Sequence, residues 1–256
     1  MSTAGPLLRE WRQRRRLSQL DLALEAEISA RHLSFVETGR SIPSRDMVLH
    51  LAERLEIPLR ERNALLIAAG YAPVYPERKL DDPALDAARK AVDLVLAGHE
   101  PYPAIAVDRH WTLVAANRAV GQFLTVDDES LLQPPLNVLR VSLHPRGVAP
   151  RIANFAEWRA HVLERLRRQI DASGDPVLIA LHEELRAYPA PAESSTRSLR
   201  DYNGVVVPIE LITDHGICAF FSTTTIFGTP VDVTLSELAV EAFFPADEKT
   251  AQMLRM

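Results

Sequence analysis

Arg31 and Ser34 lie three residues apart, close to one helical turn, and so project from one side of a helix. A guanidinium and a hydroxyl so placed suit hydrogen bonding to a flat polar edge, and arginine's paired donors match the two acceptors of a guanine in a DNA major groove. Ala30, Phe35 and Thr38 share that side, whereas Leu33 and Val36 form an apolar face opposite. Phe35 either touches a thymine methyl or packs against the rest of the protein. Chemistry of other kinds finds no convergent groups. His182-Glu183 lacks the second histidine of a zinc-protease helix. Cys218 sits in an apolar run that favours a structural thiol, and one cysteine excludes an internal disulfide. Phe227-Gly228-Thr229-Pro230 is a turn, and no glycine-rich phosphate loop follows a strand. The chain is therefore read as a non-enzyme that requires no cofactor and carries no metal site.

The elements that must position Arg31 are legible around it. Ser18 can cap a first helix, with Asp21 three residues on returning the bond, and Leu22, Ala23 and Ala26 give it a buried stripe. A turn through Glu27 and Ile28 leads to Ser29, a second N-cap, and Gly39 closes the helix that follows. Before this pair, Leu7, Leu8 and Trp11 mark a helix ending in Arg12, Arg14, Arg15 and Arg16, which either stay solvated or touch phosphate. After it, Val48, Leu51, Ala52 and Leu55 mark a fourth helix, and Pro58 opens a fifth that stops at Gly70. Two short helices joined by a tight turn are the layout of a helix-turn-helix.

The segment from Leu17 to Pro58 resembles the repressor-type helix-turn-helix of the XRE (lambda-repressor-like) family, on Ser18-Gln19, Ile28-Ser29 and Val36-Glu37-Thr38-Gly39-Arg40. The resemblance implies that Gln19, Ser29 and Arg40 approach DNA phosphates, and that Ala30, Arg31, Ser34 and Phe35 face base edges. Glu27 stands where that family holds glycine or asparagine, which predicts backbone strain in the turn.

The chain has 29 basic and 34 acidic side chains, net −5. Residues 1–72 hold 11 basic and 9 acidic groups, net +2, so the remainder is strongly acidic. Such a balance suits contact with DNA through one end and excludes a coating or histone-like role. A weakly basic reader gains from a homodimer engaging two half-sites of a palindromic operator. No apolar run is long enough to span a membrane and no signal pattern opens the chain, so the expected compartment is the cytoplasm.

Two domains are expected: 1–72, a linker over 73–82 marked by Pro73 and Pro76, and 83–256. In the second, Pro83 opens a helix through Leu85, Ala88, Val92 and Val95, capped by Gly98. Strands at Ala104–Asp108 and Trp111–Ala115 flank a turn, and Asn117 caps a helix over 118–124. Long helices run from about Asn154 to Ile170 and onward from Pro176. After a proline- and serine-rich loop over 189–198, Gly204–Thr213 and Ile217–Phe227 form a hairpin. These elements predict an antiparallel sheet with helices packed on one side.

The run Asp108 to Ala119 resembles the strand-to-helix segment of PAS sensor domains. With Pro135-Leu136-Asn137-Val138-Leu139-Arg140 and the Phe155 to Arg167 helix, it resembles the ligand-binding domain of MmyB-like transcription regulators. The fold class expected is thus an all-α five-helix domain followed by an α+β PAS-like domain. The resemblance implies a transcription regulator with a small hydrophobic effector such as a fatty acid. Trp111, Phe123, Trp158 and Phe220 are the candidate ligand contacts, with Arg140 or His144 as partners for a charged ligand head. Two alternatives stand beside this: a ligand-independent repressor whose C-terminal domain only dimerises, and a protein-interaction scaffold that does not bind DNA.

Overall fold

The computed structural model describes residues 4–191, 207–228 and 230–255. The chain divides into two units. One takes in the chain up to Lys79 together with Asp171–Ser173 and residues 230–236; the other holds the rest. Residues 230–236 thus join the first unit, although the sequence reading places them in the second domain. No helix among the described residues is long and apolar enough to cross a membrane.

The first unit contains α1 (Ala4–Arg14), α2 (Gln19–Glu25), α3 (Ala30–Glu37), α4 (Arg45–Arg54) and α5 (Leu59–Ala68). Ser18, Ser29 and Ser44 each cap a helix by accepting from a backbone N–H three residues on, and Asp21 completes the capping box at Ser18. Each such cap is worth about 1 kcal/mol. Leu8, Leu22, Leu33, Val36, Leu51, Leu55 and Leu66 close one core. Gly5 is required where α1 meets α3: a Cβ there would lie 2.3 Å from the Val36 carbonyl oxygen. Glu27 adopts φ +53, the left-handed conformation in which a side chain is strained.

The second unit is an α+β PAS-like domain. Its strands are β1 (Ala104–Val107), β2 (Leu113–Ala116), β3 (Ile209–Thr213), β4 (Gly216–Ile226) and β5 (Ala239–Pro245), in the antiparallel order β2-β1-β5-β4-β3. The helices of this part of the chain are α6 (Asp86–Gly98), α7 (Val138–Leu143), α8 (Phe155–Ser173), α9 (Pro176–Ala187), α10 (Val233–Ser236), which falls in the first unit, and α11 (Glu248–Met253).

Strand periodicity sends alternate residues of β1 to opposite faces. Ile105 and Val107 join Trp158, Val162, Leu166 and Leu181 of α8 and α9, whereas Ala104 and Ala106 pack with Val92 and Leu96 of α6. Helices therefore cover both faces of the sheet, which corrects the one-sided arrangement expected from sequence.

Three local expectations are also corrected. Val95 is 48% exposed, so α6 buries Val92 and Leu96 instead, with Leu85 buried in the 3-10 turn Pro83–Leu85 before it, and Gly98 ends the helix without a left-handed φ. The segment after Asn117 is a 3-10 helix, Arg118–Phe123, and the Asn117 side chain does not cap it. It bonds inward to the Ala104 N–H and to the carbonyls of Leu96 and Tyr102, tying β1 to its surroundings. Trp111 precedes β2 and adopts φ +67. The expected strand start at Gly204 and most of the 189–198 loop lie outside the described residues; β3 begins at Ile209.

Candidate DNA-reading face and ligand cavity

Arg31 is exposed on α3 and Thr38 at its C-cap, Ser34 and Phe35 are half-buried beside them, and Leu33, Val36 and Glu37 are buried opposite. The guanidinium carbons of Arg31 and Arg40 lie 5.4 and 5.9 Å from the Phe35 ring centroid. Two cations thus flank one aromatic ring, which stands apart from the buried core of this unit. Two residues expected to point outward are less free. Ala30 packs partly against the core, and the Thr38 hydroxyl donates to the Ser34 carbonyl at 2.7 Å.

Beneath this face is a buried network absent from the sequence reading. Arg12 donates from Nε and Nη2 to the two carboxylate oxygens of Glu37 at 2.6 and 3.0 Å, and from Nη1 to the Leu17 carbonyl. Gln19 Nε2 donates to Glu37 Oε2 at 2.7 Å. The Glu37 hydrogen bond holds the Arg12 guanidinium above its ordinary pKa. Arg12 is therefore neither solvated nor available to phosphate, because it balances a carboxylate locked against α3. Gln19 is tied from below to the same carboxylate. Arg14 and Arg15 stack on the Trp11 ring, at 4.9 and 5.4 Å. Glu37 follows Leu33 by one turn on the apolar face, and a charge at such a position is the available sequence signal for a buried pair.

In the second unit, Trp111, Phe123, Trp158 and Phe220 all line one cavity of about 140 Å³. The sheet contributes Ile105, Leu113, Ile209, Leu211 and Phe243, and the segment around α7 contributes Leu136, Val138, Leu139, Val141 and Ser142. Phe123 meets Phe220 edge-to-face at 5.2 Å. Trp111 is held in its left-handed conformation by three contacts: its Nε1–H donates to Gln169 Oε1 at 2.8 Å, its carbonyl accepts from the Val138 N–H, and Arg165 lies 4.6 Å over its ring. A bulky residue in that conformation is strained, and strain of this kind concentrates at sites that need a fixed wall.

The cavity is almost wholly apolar. Trp158 spends its Nε1–H on Ser142 Oγ at 2.9 Å. The charged lining residue is Glu241 on β5, which sequence reasoning missed; an acid placed on the same strand face as Phe243 was the signal. Glu241 is 4% exposed, is ion-paired with Arg165 Nη2 at 2.6 Å, and accepts from the Thr224 hydroxyl at 2.9 Å. Beyond this pair, His161 stacks on Trp158. Burial, with Arg165 and Arg168 adding repulsion, lowers the His161 pKa against the opposing pull of Glu241. Arg140 and His144, the expected partners of a ligand head, do not line the cavity. Arg140 makes a bidentate pair with Glu184, and His144 packs edge-on against Tyr188. Among the described residues, no cluster of side chains suits a metal ion.

Comparison with known proteins finds matches to both parts of the chain. A protein from Methanoculleus marisnigri, provisionally named an HTH-type transcriptional regulatory protein, is 35% identical over 116 residues. That match spans 43% of this chain and 37% of the relative, so the chain covers well under two thirds of the relative's length. The helix-turn-helix family profile matches residues 8–62. The profile described as MmyB-like transcription regulator ligand binding domain matches residues 88–256, more than half of the chain. With a helix-turn-helix reader ahead of a sensor domain of that description, the chain belongs to the MmyB-like family of transcription regulators.

Proposed function

We propose that the chain works in the cytoplasm as a homodimer on a palindromic operator, with α3 of each copy in the major groove. Arg31 and Ser34 read base edges, with Ala30 and Phe35 beside them and Thr38 at the edge of the same face. Gln19, Ser29 and Arg40 hold the phosphates. A small hydrophobic molecule in the cavity acts as effector, and the chain itself catalyses nothing and requires no cofactor. Effector binding favours one placement of the two readers in the dimer and so changes which operator spacing they satisfy.

The observation that carries this reading is the partly open apolar cavity of about 140 Å³, whose wall includes the large aromatic side chains of Trp111, Phe123, Trp158, Phe220 and Phe243. Apolar cavities of about 150 Å³ bind benzene-sized guests. A short fatty acid is one candidate, and a longer acyl chain must displace part of the wall. The test has two arms. Duplexes are selected from a random pool by the full chain, and small molecules carried by the purified protein are identified by mass spectrometry. A defined inverted repeat and a recovered apolar compound are expected; no sequence preference at all overturns the DNA reading, and failure of every apolar probe to bind overturns the effector reading.

A further inference from the structure

Glu241 sits where an apolar cavity has little use for a carboxylate. Along the row of paired residues it lies opposite Ile105 of β1 and Thr224 of β4, and it lines the cavity with Ile105 and Phe243 on the face covered by α8 and α9. The Arg165 ion pair and the Thr224 hydroxyl both converge on Oε1. Oε2 takes no hydrogen bond among the described residues. Glu241 lines the cavity, and a carboxylate oxygen left open on a cavity wall is a place where a guest can donate. On the structure, we infer that the cavity takes a ligand whose polar head is an uncharged hydrogen-bond donor, a hydroxyl, amide or undissociated acid, bonded to Glu241 Oε2. The inference rests on the effector reading above and specifies its chemistry.

Charge balance decides the class of head. Arg165 and Glu241 neutralise one another, and Arg165 is fixed from its other side by the Trp111 ring. A carboxylate head would meet a carboxylate. It could recruit Arg165 only by leaving Glu241 stranded in an apolar wall, which is the costly outcome for a buried pair. An ammonium head would bring a second positive charge to a carboxylate that Arg165 has already neutralised. An O–H or N–H head adds no charge, fills the open acceptor and leaves the ion pair in place. Ser142 is the other polar side chain of the wall. Its oxygen already accepts from Trp158, and one neutral hydroxyl cannot balance an ionic head. A fatty acid would on this account enter in its neutral form.

The test compares matched chains bearing different heads. Affinities of the full chain for octanol, octanoate and octylammonium are measured by calorimetry at neutral pH. Octanol is expected to bind about tenfold or more tightly than either ion. Glu241→Gln keeps the shape, removes the repelling charge and leaves Arg165 without its partner, so octanoate should gain on octanol until the gap closes to within about threefold or reverses. Ser142→Ala should leave the wild-type order intact. Octanoate or octylammonium binding as tightly as octanol overturns the inference, as does an unchanged gap in Glu241→Gln. Should that variant fail to fold, the wild-type order and Ser142→Ala decide. Failure of all three compounds to bind would instead strike the effector reading itself and the inference with it.

Discussion

Filling the cavity should silence it, and the cost of leaving it empty sets the scale. At about 24 cal/mol per Å³, a space of 140 Å³ withholds at most roughly 3 kcal/mol from the fold, because the cavity is partly open. Val120 lies on its wall, 8% exposed, on the 3-10 helix that also carries Phe123. Val120→Phe puts a ring into that space. Its packing gain is opposed by strain of about 1–3 kcal/mol, so the variant's own melting temperature should move little. The decisive quantity is the response to a guest. An uncharged apolar probe such as indole, at ten times its dissociation constant, stabilises the wild type by about 1.4 kcal/mol. For a domain of this size that corresponds to a rise of about 3–6 °C. Thermal melting of the full chain, with and without indole, reads it directly. Wild type should shift and Val120→Phe should not. Equal shifts in both, or none in wild type, would refute the reasoning, because the guest would then be bound elsewhere or nowhere.

Loss of the carboxylate beneath α3 should be severe. Glu37→Ala leaves Arg12 buried without its partner and should cost about 3–5 kcal/mol, measured by hydrogen exchange over residues 4–68 of the full chain. The double change Arg12→Leu with Glu37→Leu should recover most of it, and a double variant as weak as the single one would contradict the assignment. Arg31→Ala should weaken binding at the preferred duplex by about 1–3 kcal/mol and relax the preference at one base, read by competition among duplex variants. Acid should weaken the second unit through His161, whose pKa lies below its ordinary 6.5. Its contribution is complete above that value and is lost as pH falls through the lowered one. Urea unfolding across that window should show the slope, and His161→Gln should flatten it.

The reader domain was legible because its signals are local. Ser18, Asp21, Ser29 and Gly39 mark their helix ends within a few residues, and Glu27 announces its strained turn by being neither glycine nor asparagine. The sheet was legible in part, because β-branched and aromatic runs mark strands but do not say which face each helix will cover. Strand β1 is buried along its whole length, so its sequence shows no alternation from which a second covered face could be read. The same limit hid Asn117, whose cap-like position is outweighed by three long-range bonds, and Trp111, whose backbone is set by Gln169 and Arg165 far along the chain. The four aromatic residues singled out in the sequence meet at one cavity, but its polar end escaped notice. Arg165, Thr224 and Glu241 come from α8, β4 and β5, and only folding brings them together.

Coupling between cavity and operator is the claim on which the account stands. The affinity of the full chain for its selected duplex should be measured with and without saturating octanol, in wild type and in Val120→Phe. The account predicts a change of about fivefold or more in wild type, the scale of an ordinary allosteric coupling, and none in the variant. An affinity indifferent to the filled cavity in wild type, or a change of equal size in Val120→Phe, would contradict it.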